Sequence, residues 1–181
     1  MEPIKTKEKK VFEILKDKLG YVNVMQSPKL EKITLSSGVG SKRDKKKVDL
    51  IIDRMTNISG QKPSVRGAKK SIATFKVRQG EPVGVLVTMR GARMYGFLDK
   101  LINVALPRTK DFRGLKKESI DDMGNLTIGI KEHTIFPETA DEDVRDIFGL
   151  AITVVSSAKD KKTAELFFTH LGFPFSSKGE K

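Results

Sequence analysis

Between Pro82 and Arg90 the chain alternates strictly, with Val83, Val85, Val87 and Met89 on one side of an extended backbone and Gly84, Leu86, Thr88 and Arg90 on the other. A period of two suits a strand with one face against a core and the other toward solvent. LEKITLSS (30–37), with Leu30, Ile33 and Leu35 among polar neighbours and Lys32, Thr34 and Ser36 opposite Ile33 and Leu35, also reads as a half-buried strand. Leu126, Ile128 and Ile130 in GNLTIGI repeat it, and AITVVSS (151–157) supplies a last strand.

Helical spacing separates these strands. Val11, Phe12, Leu15 and Leu19 predict a helix over 4–19 that stops at Gly20, although Lys5, Lys7, Lys9 and Lys10 lie near its start, where the helix dipole disfavours them. Val48, Ile51, Ile52 and Met55 predict a second helix from Lys45 to Ser59, with a basic front from Lys42 to Lys47 and Gly60 as terminator. A third covers 92–105, closed by Pro107. A fourth follows Asp160 as N-cap, with Ala164, Phe167, Phe168 and Leu171 as its stripe and Gly172 and Pro174 as stops. With no regular βα alternation, the fold class expected is α+β: one mainly antiparallel sheet, helices on one face, and an open face lined by Lys32, Thr34, Ser36, Thr88, Arg90, Thr127, Gly129 and Lys131. One domain spanning 1–181 is expected, with flexible ends at 1–10 and 176–181.

Charge indicates what meets that face. Residues 1–90 carry 21 Lys and Arg against 9 Asp and Glu, while residues 91–181 carry 14 of each, so the whole net charge of +12 belongs to the first half. It is densest from Gln61 to Arg90, where Lys62, Arg66, Lys69, Lys70, Lys76, Arg78 and Arg90 face one acid, Glu81. Pro63, Gly67 and Gly80 keep this arm from running as one helix, so a basic, disordered loop mounted on a strand pair is expected, suited to phosphate.

Little in the chain suggests catalysis. Cysteine is absent, and His133 and His170 are read as surface or capping residues. The acids at 138–146 lack the ligand spacing of a calcium loop and read as a solvated patch. Gly38-Val39-Gly40-Ser41-Lys42 lacks the spacing of a nucleotide-binding loop. No enzyme, metal or cofactor is expected. The charged start and the lack of an 18-residue apolar run predict a cytoplasmic protein with no membrane partner. Of the aromatic residues, Phe75 alone falls in the arm and none on the open face, which favours folded RNA read by shape and phosphate over stacked single strands.

Longer segments then carry a resemblance: NVMQSPKLEKI (23–33), GVG (38–40), GQKP (60–63), AKKSIATFKVRQG (68–80), VTMRGARMYGFLDKLINVALPRTKDFRG (87–114), GNLTIGIKEHTIFPE (124–138) and LGFPF (171–175). The chain resembles the bacterial large-subunit ribosomal protein L-five family, which binds 5S ribosomal RNA. That resemblance implies a structural, non-enzymatic component of the central protuberance that attaches 5S rRNA and contacts large-subunit rRNA. Gln61 and Thr88 match the family's polar RNA contacts, and Ser36 stands where the family usually has Asn. With Lys32, Lys62 and Arg90 as phosphate partners they form the expected rRNA site. The loop from Val65 to Gln79, with Arg66, Lys69, Lys70, Lys76 and Arg78, would reach P-site tRNA. A bridge to a small-subunit head protein would use either the 108–117 loop or the acidic patch. The alternatives are a free RNA chaperone or assembly factor and, less well supported by the residues, an RNA-processing enzyme.

Overall fold

The computed structural model describes residues 2–39, 45–139 and 147–176. The tip of the glycine hinge (40–44), most of the acidic patch (140–146) and the tail from 177 lie outside them. The alternating segments form one five-stranded sheet, β1 (Leu30–Gly38), β2 (Ser64–Gly67), β3 (Pro82–Met89), β4 (Leu126–Ile130) and β5 (Leu150–Ser156), in the order β2-β3-β1-β5-β4. Every neighbouring pair is antiparallel. β2 and β3 pair Ser64 with Leu86 and Arg66 with Gly84, with a register shift between Arg66 and Gly67. Val39 N–H donates to Val83 O at the β1–β3 boundary. Lys29 and Ser157 bond at one end of β1–β5, Ser37 and Gly149 at the other. The Thr127 and Thr153 hydroxyls meet at 3.3 Å between β4 and β5.

Burial follows the alternation. Leu35, Val85, Val87, Met89, Ile128, Ile130, Ile152 and Val154 are buried. Thr34, Ser36, Gly84, Leu86, Thr88, Ala151, Thr153 and Val155 are half-buried, and Thr127 and Gly129 are exposed. The α+β class with an open sheet face is what the structure shows.

Two compact units divide the chain: 1–33, 90–128 and 153–181 form the first, and 34–89 with 129–152 the second. In the second, α3 (Lys45–Ser59) lays Val48, Ile51, Met55 and Ile58 against β3. The first packs α1 (Ile4–Lys9), α2 (Val11–Leu19), α4 (Gly91–Lys100) and α5 (Lys161–Leu171) around Val11, Leu15, Phe97, Leu98, Phe167 and Phe168.

Several local expectations need correction. The single helix over 4–19 is two, broken at Lys10, whose N–H turns to Lys7 O at 3.1 Å. The basic N-terminus is partly relieved within the protein: Lys7 Nζ donates to Leu171 O at 3.1 Å, at the negative end of α5, and Lys10 Nζ reaches Glu2 Oε1 at 2.6 Å. The helix over 92–105 begins at Gly91 and widens to a π-helical turn at Leu101–Ala105, where Leu106 N–H bonds back to Leu101 O at 2.9 Å. Asp160 holds the N-cap backbone position of α5, but its side chain makes no capping bond. The loop before β1 carries a capping box, in which the Asn23 side chain accepts from Met25 N–H and Gln26 Oε1 accepts from Asn23 N–H.

Gly20 ends α2 in the left-handed region, at φ +65°, with nothing near where a Cβ would point. Gly20→Ala therefore carries only the backbone penalty and is expected to cost about 1 kcal/mol in urea unfolding. Gly124, at φ +78°, is more constrained, because an added Cβ would come within 2.7 Å of Ala158 O.

Candidate nucleic-acid interface

Four of the six residues assigned to rRNA come together in the second unit. Period-two geometry carries Ser36 to the open face of β1 and sends Ser37 the other way, where its Oγ donates to Gly149 O at 2.8 Å. Thr88 shares the open side of β3 with Gly84 and Leu86. Gly60 turns the chain out of α3 at φ +65°, and Ser59 Oγ donates to Met55 O at 2.6 Å and lies 3.0 Å from Gln61 O, fixing that corner. Gln61 is thereby held beside β3, its Nε2 donating to Thr88 O at 3.0 Å. That bond orients the amide and leaves its carbonyl oxygen for another donor. Among the described residues the Ser36 and Thr88 hydroxyls have no protein partner, and Lys62, next to Gln61 in sequence, is exposed. Lys32, half-buried on β1, and Arg90, exposed at the N-cap of α4, belong to the first unit.

The arm has more structure than a disordered loop. Residues 64–67 form the edge strand β2, Ala68 N–H donates to Glu81 O at 2.8 Å, and Gly80 N–H returns to Ala68 O at 3.0 Å. Beyond that clasp, Ile72 and Val77 bridge around a tight turn in which Lys76 has φ +50°. Glu81, the arm's acid, accepts from Arg78 N–H at 2.9 Å, closing its base. Arg66, Lys69, Lys70, Lys76 and Arg78 are all exposed, as are Ile72 and Phe75. Such a hairpin presents ammonium and guanidinium groups to phosphate at little ordering cost.

Neither histidine supports chemistry. His133 is fully buried, contrary to the surface reading: its ring stacks on Phe148 at 4.1 Å between centroids, and Phe148 N–H donates to His133 Nδ1 at 3.4 Å. His170 is half-buried, with Nε2 2.9 Å from Lys7 O, linking α5 to α1. Among the described residues no group of three His, Cys, Asp or Glu side chains is placed to hold a metal. Among them, too, no helix is long and apolar enough to cross a membrane.

A sheet face of small polar side chains with a basic hairpin at the sheet's edge makes a surface suited to binding a polyanion. Residues 23–78 match the family model described as ribosomal protein L5, and residues 82–175 match the model for the C-terminus of the same ribosomal family. The large ribosomal subunit protein uL5 of Natranaerobius thermophilus is 47% identical over 163 residues, 90% of this chain and 91% of that protein. Its namesake in Mycoplasma mycoides is 50% identical over 173 residues, covering 95% and 96%, and that of Dichelobacter nodosus 50% identical over 169 residues, covering 93% and 94%. The chain belongs to the ribosomal protein L5 family, and as such is a structural, non-enzymatic constituent of the ribosome.

Proposed function

We propose that the chain acts in the cytoplasmic large ribosomal subunit as the protein that attaches 5S rRNA in the central protuberance, working as one rRNA-binding domain. Gln61 carries this reading: its bond to Thr88 O prepays the ordering of an amide that can then exchange hydrogen bonds with a ribose or base edge. Ser36 and Thr88 offer hydroxyls from adjacent strands, and Lys32, Lys62 and Arg90 supply charge for the backbone. Ser36 keeps the donor and acceptor of the family's Asn on a shorter side chain. The sheet's lack of aromatics suits a folded RNA recognised through phosphate and 2′-hydroxyl groups.

The hairpin serves a second RNA. Arg66, Lys69, Lys70, Lys76 and Arg78 contact P-site tRNA, and their place on an edge hairpin rather than the sheet face supports that division. A bridge to a small-subunit head protein and contacts to large-subunit rRNA complete the set of partners.

The test is a titration of the full chain against intact 5S rRNA and a scrambled RNA of equal length, over a series of salt concentrations. Tighter binding to 5S rRNA at every salt concentration is expected, and neutralising Lys62 should flatten the slope of log affinity against log salt by roughly 0.7 to 0.9. Equal affinity for the two RNAs would point instead to a free RNA chaperone or assembly factor.

A further inference from the structure

A cavity of about 390 Å³ in the first unit is lined by Glu8, Phe12, Val24, Leu30 and Tyr95, with Lys5, Lys9 and Lys29 around them. Its construction is specific. Glu8 spends both carboxylate oxygens on the wall, accepting from Leu30 N–H at 2.7 Å through one and from the Tyr95 hydroxyl through the other. Those bonds fix Tyr95 against the start of β1 and leave the three lysines exposed at the rim of an apolar lining made by Phe12, Val24, Leu30 and the Tyr95 ring. Partial burial, followed by the Glu8 carboxylate beside it, pushes the Tyr95 hydroxyl up to about 12, so it stays a neutral donor at any physiological pH. Val24 remains 55% exposed although the capping box holds its backbone, an apolar group kept in solvent by a made turn.

Three ammonium groups against one engaged carboxylate select an anion, and the aromatic and aliphatic lining selects one with a flat apolar part. We infer that this groove holds a single unpaired nucleotide of RNA, its base against Phe12, Val24 and Tyr95 and its phosphates at Lys5, Lys9 and Lys29. The occupant differs in kind from what the open sheet face suits, because here aromatic rings and lysines line the same concavity. A cavity of this volume falls in the range of small-ligand sites. Lys5 and Lys9, on α1, acquire a role outside the sheet.

The experiment is an amide-shift NMR titration of the full chain with a short oligouridylate, in parallel with 5′-AMP and with inorganic tripolyphosphate. The oligouridylate is expected to move the amides of Phe12, Val24, Leu30 and Tyr95, and 5′-AMP to move the same amides at higher concentration. Tripolyphosphate is expected to move only those of Lys5, Lys9 and Lys29. Lys9→Ala combined with Lys29→Ala, both exposed and so harmless to the fold, should weaken oligouridylate binding at these amides by about tenfold or more, as the loss of two phosphate contacts requires. Val24→Glu should do the same, while Thr88→Val leaves it unchanged and so separates this groove from the sheet face. The inference is overturned if the oligouridylate leaves those four amides still, if tripolyphosphate moves them equally, if 5′-AMP binds more tightly than the oligouridylate, or if the lysine double variant binds as the parent does.

Discussion

Phe168→Ala is expected to lower the unfolding free energy by about 3–5 kcal/mol, read as a fall in the urea midpoint. Phe168 is wholly buried on α5, edge-on to Phe173 at 5.4 Å between centroids and 82° between planes, and tilted against Phe167 at 5.5 Å. Removing the ring loses its transfer energy and opens a cavity that the neighbours cannot readily fill. Phe173 follows the chain reversal at Gly172, and its own N–H is tied to Phe168 O at 3.1 Å. Lys7 Nζ already lies 2.8 Å from where a Cβ on Gly172 would be, so the segment has little room to slide inward. Phe168→Leu, which keeps most of the volume, should cost less than half as much. An effect of Phe168→Ala below about 1 kcal/mol would mean that α5 is not packed as described.

The sheet was legible because one face is buried: alternation at Val85, Val87 and Met89 reports directly which side chains leave water, while Val83, nearer the start of β3, stays half-buried. The same logic placed Ser36 and Thr88 on the open side, and Gly20, Gly60 and Gly172 were read as stops because each follows the end of a helical apolar spacing; all three adopt the positive φ that suits glycine. What escaped depends on partners distant in sequence. Nothing near His133 announces its burial, since the ring it stacks on is Phe148, and nothing near Glu8 announces bonds to Leu30 and Tyr95. The break at Lys10 has no glycine or proline to mark it, and the apolar spacing runs through it unchanged. One miss did carry a local signal: Asn23 with Gln26 three residues on is a capping-box spacing. The strand pair expected around the arm is present, with Ser64–Gly67 as its first member.

Separating the sheet from the arm gives the second large effect. Thr88→Val keeps shape and β propensity while removing a hydroxyl, so the fold should be nearly unchanged, and the Gln61 bond survives because it uses the Thr88 main-chain oxygen. In the complex the RNA group that faced the hydroxyl is left desolvated and unpaired, which is expected to weaken 5S rRNA binding by roughly 1–3 kcal/mol with no change in salt slope, because no phosphate charge is lost. The complementary variant excises the hairpin. Ala68 and Gly80 are already joined by a 3.0 Å hydrogen bond, so residues 69–79 can be replaced by Asn-Gly while β2, its pairing with β3 and the Ala68–Glu81 bond remain. That protein should bind 5S rRNA within about threefold of the parent, while losing most of its affinity for tRNA together with the salt dependence contributed by Lys69, Lys70, Lys76 and Arg78. The two variants thus fail in opposite assays if the sheet face and the hairpin hold different RNAs. Loss of 5S rRNA binding in the excised protein, with Thr88→Val unaffected, would instead make the hairpin the 5S site and reduce the sheet face to scaffold.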